Sequence, residues 1–137
     1  GMYKVCADVN DVEYRTMLLD VYYQFKASSL LSAIDEFTKV IFICSPNNPT
    51  GNSLCRKEIE SLLKRFDGLV VVDEAYIDFG GESAVSLIGE YDNLLVVQTF
   101  SKSRSMAGAR LGFGIASENI ISDLNRIRYS TNRQPRK

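Results

Sequence analysis

Apolar residues fall along this chain in two kinds of run. Lys39 to Cys44 (KVIFIC), Leu69 to Val72 and Leu94 to Gln98 are short, nearly unbroken and rich in β-branched side chains. Such runs predict strands buried on both faces, the central members of a parallel sheet. Val12 to Leu19 and Leu111 to Ala116 predict further strands. The second kind repeats every three or four residues. Arg56 to Phe66 puts Ile59, Leu62, Leu63 and Phe66 on one helical stripe, and Ser117 to Arg128 does the same with Ile120, Ile121, Leu124 and Ile127. Leu30 to Phe37 predicts a short helix with Ser28 or Ser29 as N-cap, and Ser83 to Tyr91 another. Alternating strands and helices predict an α/β fold: a three-layer, mostly parallel sheet with helices on both faces.

The chain has 137 residues, 45% of them hydrophobic and 24% charged, with a net charge of −1. That length suits one domain with a sizeable core. The charge balance gives no reason to expect nucleic acid or an acidic membrane as partner. No apolar run approaches the length of a bilayer span, and the N-terminus shows no signal-peptide pattern. Histidine is absent, which removes His-activated nucleophiles and His-based metal sites. Cys6, Cys44 and Cys55 are scattered and odd in number, a pattern of reduced thiols and hence of a cytoplasmic protein. From Arg126 onward the chain carries Arg126, Arg128, Arg133, Arg136 and Lys137 without an acid. This tail reads either as a solvated end or as a polyanion-binding arm.

In parallel sheets ligands bind beyond the carboxyl ends of the strands, so the loops after Cys44, Val72 and Gln98 hold the candidate chemistry. The first is Ser45-Pro46-Asn47-Asn48-Pro49-Thr50-Gly51. An ordinary turn explains its Pro and Gly, but not two Asn amides that can donate to a ligand. The second is Asp73-Glu74-Ala75-Tyr76-Ile77-Asp78-Phe79. An acid ending a buried strand needs a partner: a helix N-terminus, an arginine or a ligand cation. Its three acids could suggest a metal, but histidine is absent and calcium-loop spacing is missing. The third runs from Thr99 to Gly112 and contains Ser101, Lys102 and Arg110. It matches neither a Walker A loop nor a dinucleotide fingerprint. Together the loops offer an amine, a carboxylate, a phenol, an amide and a phosphate clamp. That set fits pyridoxal 5′-phosphate: a lysine joins its aldehyde, an acid holds its ring nitrogen protonated, and Arg with hydroxyls holds the phosphate.

SPNNPTG, DEAYIDF and TFSKSRSMAGARLGFG, in this order, resemble the fold-type I pyridoxal-phosphate aminotransferases, and among them the histidinol-phosphate aminotransferases. The spacing agrees: 25 residues from Asn48 to Asp73, 29 from Asp73 to Lys102 and 8 from Lys102 to Arg110. The resemblance implies that Lys102 carries the cofactor and moves protons. It implies that Asp73 meets the pyridine nitrogen and that Tyr76 and Asn48 donate to the phenolic oxygen. Thr99, Ser101 and Arg110 resemble the phosphate-binding set. The implied reaction moves an amino group between L-glutamate and imidazole-acetol phosphate, in a cytoplasmic homodimer of histidine biosynthesis. Threonine-phosphate decarboxylases share much of the pattern. The resemblance further implies that residues 1–132 are the central part of the large domain and 133–137 a divergent basic tail. An N-terminal segment with the stacking aromatic and a C-terminal small domain would lie outside the chain. The expectation is therefore weak cofactor binding and no turnover by these 137 residues alone, or a non-catalytic remnant.

Overall fold

A computed structural model describes residues 2–127. The elements in order are α1 (Met2–Val9), α2 (Ala27–Ala33), β1 (Val40–Cys44), α3 (Arg56–Arg65), β2 (Leu69–Asp73), β3 (Leu94–Thr99), β4 (Gly112–Ala116) and α4 (Glu118–Ile127), with short 3-10 turns between. The sheet order is β1-β2-β3-β4. β1 pairs with β2 and β2 with β3 in parallel, while β4 runs antiparallel to β3. The mixed, parallel-dominated α/β fold is thus the observed architecture. Among the basic residues of the tail only Arg126 is described, paired with Asp123 at 3.3 Å; the rest of the tail lies outside the described residues.

Strand alternation sorts the apolar residues by face. Ile41, Ile43, Val70, Val72, Leu94 and Val96 join one buried cluster with Ile59, Leu62, Leu63, Phe66, Ala84, Leu87 and Phe25. The helix α3 reaches this core because its stripe recurs at helical spacing. Phe42, Val71 and Leu95 alternate with these residues and point to the opposite face. There Tyr3 of α1 stacks on Phe42, with ring centroids 4.9 Å apart. α4 packs beside β4.

Several expectations are corrected. Val12 to Leu19 forms no strand: it is irregular, has no sheet partner, and leaves Leu18 exposed. β1 is an edge strand among the described residues, and Val40 and Phe42 point away from the core cluster that holds Ile41 and Ile43 and are exposed, so β1 is not buried on both faces. The expected helix over 30–37 instead spans Ala27–Ala33. Its N-cap position is Lys26, without a side-chain cap, rather than Ser28 or Ser29. A carboxylate from another helix substitutes, with Ala27 N–H donating to Glu58 at 2.7 Å. That bond first, and the Lys26 ammonium after it, hold the Glu58 carboxyl below its ordinary range. The helix stops where Asp35 gathers the N–H groups of Phe37 and Thr38, an Asx turn. The expected helix over 83–91 shrinks to a 3-10 turn, Ala84–Leu87, N-capped by Ser83.

Two contacts close the far end of α3. The Asn93 amide donates to the carbonyls of Phe66 at 2.9 Å and Leu63 at 3.2 Å. A Cβ on Gly68 would meet the Phe66 ring at 2.4 Å and the Lys39 carbonyl at 2.5 Å, so only glycine fits.

Leu62 is fully buried and Leu18 is 91% exposed. Leu62→Ala should cost about 2–5 kcal/mol of unfolding free energy in urea titration. Leu18→Ala should stay within about 0.5 kcal/mol.

Candidate active site

The parallel register sets the ends of β1 and β2 level, with β3 running two residues further. Cys44 lies opposite Asp73, and Asp73 opposite Val97. The ladder continues one step beyond the strands: Ser45 N–H donates to the Asp73 carbonyl at 2.9 Å, and Glu74 N–H to the Val97 carbonyl at 2.8 Å. The three loops therefore leave the sheet at one edge.

The first loop divides its two asparagines. Asn47 serves the loop itself, donating to Thr50 Oγ1 at 2.7 Å while its carbonyl accepts from Gly51 N–H at 2.7 Å. Gly51 sits at φ 73°, where a side chain would strain the backbone. Asn48 reaches outward, and its amide donates to the Tyr76 hydroxyl at 2.8 Å. The peptide bonds before Pro46 and Pro49 are both cis.

The second loop sends its acids in different directions. Asp73 Oδ1 accepts from Ala75 N–H at 3.0 Å, and its Oδ2 accepts the Tyr3 hydroxyl. Glu74 turns into the core, 2% exposed. It accepts from Ser83 Oγ at 2.7 Å, Ala84 N–H at 2.6 Å and Gln98 Nε2 at 2.9 Å, so the buried carboxylate is fully partnered. Asp78 accepts from the Ser103 hydroxyl and pairs with Arg104 Nε at 3.5 Å. The three acids do not converge, and no metal-binding cluster occurs among the described residues.

The third loop is closed at its neck. Phe100 N–H donates to the Leu111 carbonyl at 3.1 Å, and Thr99 Oγ1 donates to the same carbonyl at 3.3 Å. Thr99 Oγ1 also accepts from Ser101 N–H at 3.1 Å. Gly112 permits this closure, since a Cβ there would lie 2.9 Å from the Gln98 carbonyl. Lys102 Nζ sits 5.2 Å from the centre of the Tyr76 ring, within cation–π range. Tyr76 thereby touches both Asn48 and Lys102. Arg110 adopts a left-handed backbone at φ 52° and turns its guanidinium onto the Ala107 carbonyl at 3.3 Å. No hydrogen bond joins it to Thr99 or Ser101 among the described residues.

The family model for class I and II aminotransferases matches residues 1–132. The chain belongs to the class I and II aminotransferases. Class I aminotransferases use pyridoxal 5′-phosphate. The chain is 57% identical over 133 residues to a histidinol-phosphate aminotransferase from Bacteroides fragilis, covering 96% of this chain and 39% of that relative. It thus spans about two fifths of the aminotransferase it matches. Among solved structures, it resembles the histidinol-phosphate aminotransferase of Clostridium acetobutylicum with TM-score 0.84 and 26% identity, covering 92% of this chain and 40% of that one. The enzyme of Sinorhizobium meliloti, solved with pyridoxal 5′-phosphate, shares the fold at TM-score 0.81 and 21% identity, covering 93% of this chain and 36% of that one.

Sequence reasoning missed Tyr3 and the pairing of Asp78 with the lysine loop. Tyr3 stands seventy residues from Asp73, with no local signal to join them. Asp78 was visible as an acid, and Ser103 and Arg104 as loop donors, but not their contact.

The Asp78 contacts latch the lysine loop to the 3-10 turn that follows Tyr76. The Ser103 hydroxyl first, and Arg104 after it, hold the Asp78 carboxyl below its ordinary value. A depressed folded pKa means that the stabilisation is complete above the unfolded carboxylate value near ~3.9. It is lost as pH falls through the lower folded value. Hydrogen exchange at the amides of residues 100–106 should therefore quicken, beyond its intrinsic pH trend, only below about pH 4. Asp78→Asn should quicken it at all pH values and remove that acid transition.

Proposed function

We propose that this chain carries the lysine side of a pyridoxal 5′-phosphate site. The protein containing it then transfers an amino group between L-glutamate and imidazole-acetol phosphate, giving 2-oxoglutarate and L-histidinol phosphate. The observation that supports this most is the meeting of Asn48 and Lys102 at Tyr76, in the loop that begins with Asp73. The 57% identity to a histidinol-phosphate aminotransferase supports the choice of substrate. The decarboxylase alternative has less support, because that relative is named as an aminotransferase.

The donor set fits the cofactor by its chemistry. When bound, the cofactor supplies an aldehyde and an electron-withdrawing ring. Asp73 would hold the proton at the ring nitrogen. Asn48 and Tyr76 would donate to the phenolic oxygen, and their mutual hydrogen bond fixes the direction of both groups. Lys102 Nζ would take a proton from the substrate Cα and deliver it to the C4′ carbon of the cofactor. The centre of the Tyr76 ring lies 5.2 Å from that nitrogen and borders the space it would work in. Thr99, Ser101 and Arg110 would bind the phosphate. Arg110 now donates to a neutral carbonyl, an acceptor that a doubly charged phosphate outcompetes. A homodimer in the cytoplasm fits the biosynthetic role. No helix among the described residues is long and apolar enough to cross a membrane.

Borohydride reduction of the chain mixed with pyridoxal 5′-phosphate tests the site. A pyridoxyl mass shift should map to the peptide containing Lys102 and disappear in Lys102→Ala. Equal labelling of other lysines in both proteins would overturn the assignment. In the protein that contains this chain, glutamate-dependent consumption of imidazole-acetol phosphate is the expected activity. Carbon dioxide release from threonine phosphate would favour the decarboxylase instead.

A further inference from the structure

We infer that Tyr3 is a positioning residue for Asp73: its phenol fixes the carboxylate that, on the reading proposed above, meets the ring nitrogen of the cofactor. The inference rests on that reading for its consequence and on geometry for its substance. Asp73 ends β2, where a carboxylate is free to rotate about two side-chain bonds. Two donors remove that freedom. Ala75 N–H binds Oδ1 at 3.0 Å, and the Tyr3 hydroxyl binds Oδ2. Each carboxylate oxygen keeps a second lone-pair site for a ligand N–H.

The tyrosine is itself held. Its ring stacks on Phe42 of β1 at 4.9 Å and an interplanar angle of 24°. β1 and β2 are in register, so the ring's support and the carboxylate it serves stand on neighbouring strands. Partial desolvation of the half-exposed side chain first, and then Asp73, push the Tyr3 phenol far above its ordinary pKa. The phenol thus stays a proton donor across the working range of pH. A histidine or lysine in its place would change charge or lose its proton. Tyrosine combines a rigid arm, a neutral donor and an apolar face.

Tyr3→Phe is the direct test, since it keeps the stacking ring and removes only the hydroxyl. Melting temperature and circular dichroism check that the fold is retained. In the cofactor-free chain, the Hα–Hβ couplings of Asp73 should change from those of one fixed rotamer to averaged values. Unchanged couplings would overturn the inference, whether or not the chain binds cofactor. With cofactor, the dissociation constant of pyridoxal 5′-phosphate should rise about tenfold, the scale of one charge-assisted hydrogen bond. The 15N shift of the bound ring nitrogen should move toward its unprotonated value. In an Asp73→Ala background, Tyr3→Phe should add no further loss. An additive loss would mean that Tyr3 acts by another route and would overturn the inference. Absence of cofactor binding by the unsubstituted chain would count against the proposed function alone, because the coupling measurement still decides the role of Tyr3.

Discussion

The parallel ladder of β1, β2 and β3 is the constraint on which the candidate site depends. Its register sets Cys44 beside Asp73 and Asp73 beside Val97. Three loops of unrelated sequence then leave the same edge of the sheet, the third two residues further along, from strands spaced about 5 Å apart. A one-residue slip would turn Asp73 into the core and Glu74 toward the site. Glu74 guards against that slip. Its carboxylate is buried with three donors, and no exposed position could match that set. Adjacent acids of similar chemistry thus take opposite roles, one locking the strand end and one facing the site.

The lysine loop adds a second constraint. β4 returns antiparallel to β3, so Lys102 sits within a loop pinched at its base rather than at the start of a crossover helix. Tyr76 then serves as the meeting point, accepting from Asn48 and lying under the lysine nitrogen. Asp78 fastens the two loops together from the solvent side. The geometry of the candidate site is therefore a product of contacts among loops, set on a sheet that fixes where each strand ends.

Much of this was legible in the residues. The β-branched runs marked β1, β2 and β3, and the apolar stripe marked α3 with its boundary at most a residue away. The loops after those strands were identifiable from residue chemistry, and Asn48, Tyr76 and Lys102 do meet. What the sequence did not reveal was pairing at long range. Val12 to Leu19 has the composition of a strand, but a strand exists only where another offers its hydrogen bonds. Leu30 to Phe37 was shifted because the helix start was set by Glu58, a residue of another helix. Asn47 and Asn48 are identical in type and adjacent, and only the turn geometry assigns one to the loop and the other to Tyr76.

The attachment of α1 has a consequence for how the molecule comes apart. This helix buries no residue of its own, and Tyr3 gives it both a stacking partner and a hydrogen-bond partner on the sheet. Segments with so little buried surface open locally, well below the free energy of global unfolding. Each such opening also releases one oxygen of Asp73. The sheet and its core would stay folded through the event while Asp73 lost its order, so local order at the strand end and global stability would fail at different temperatures, the first before the second.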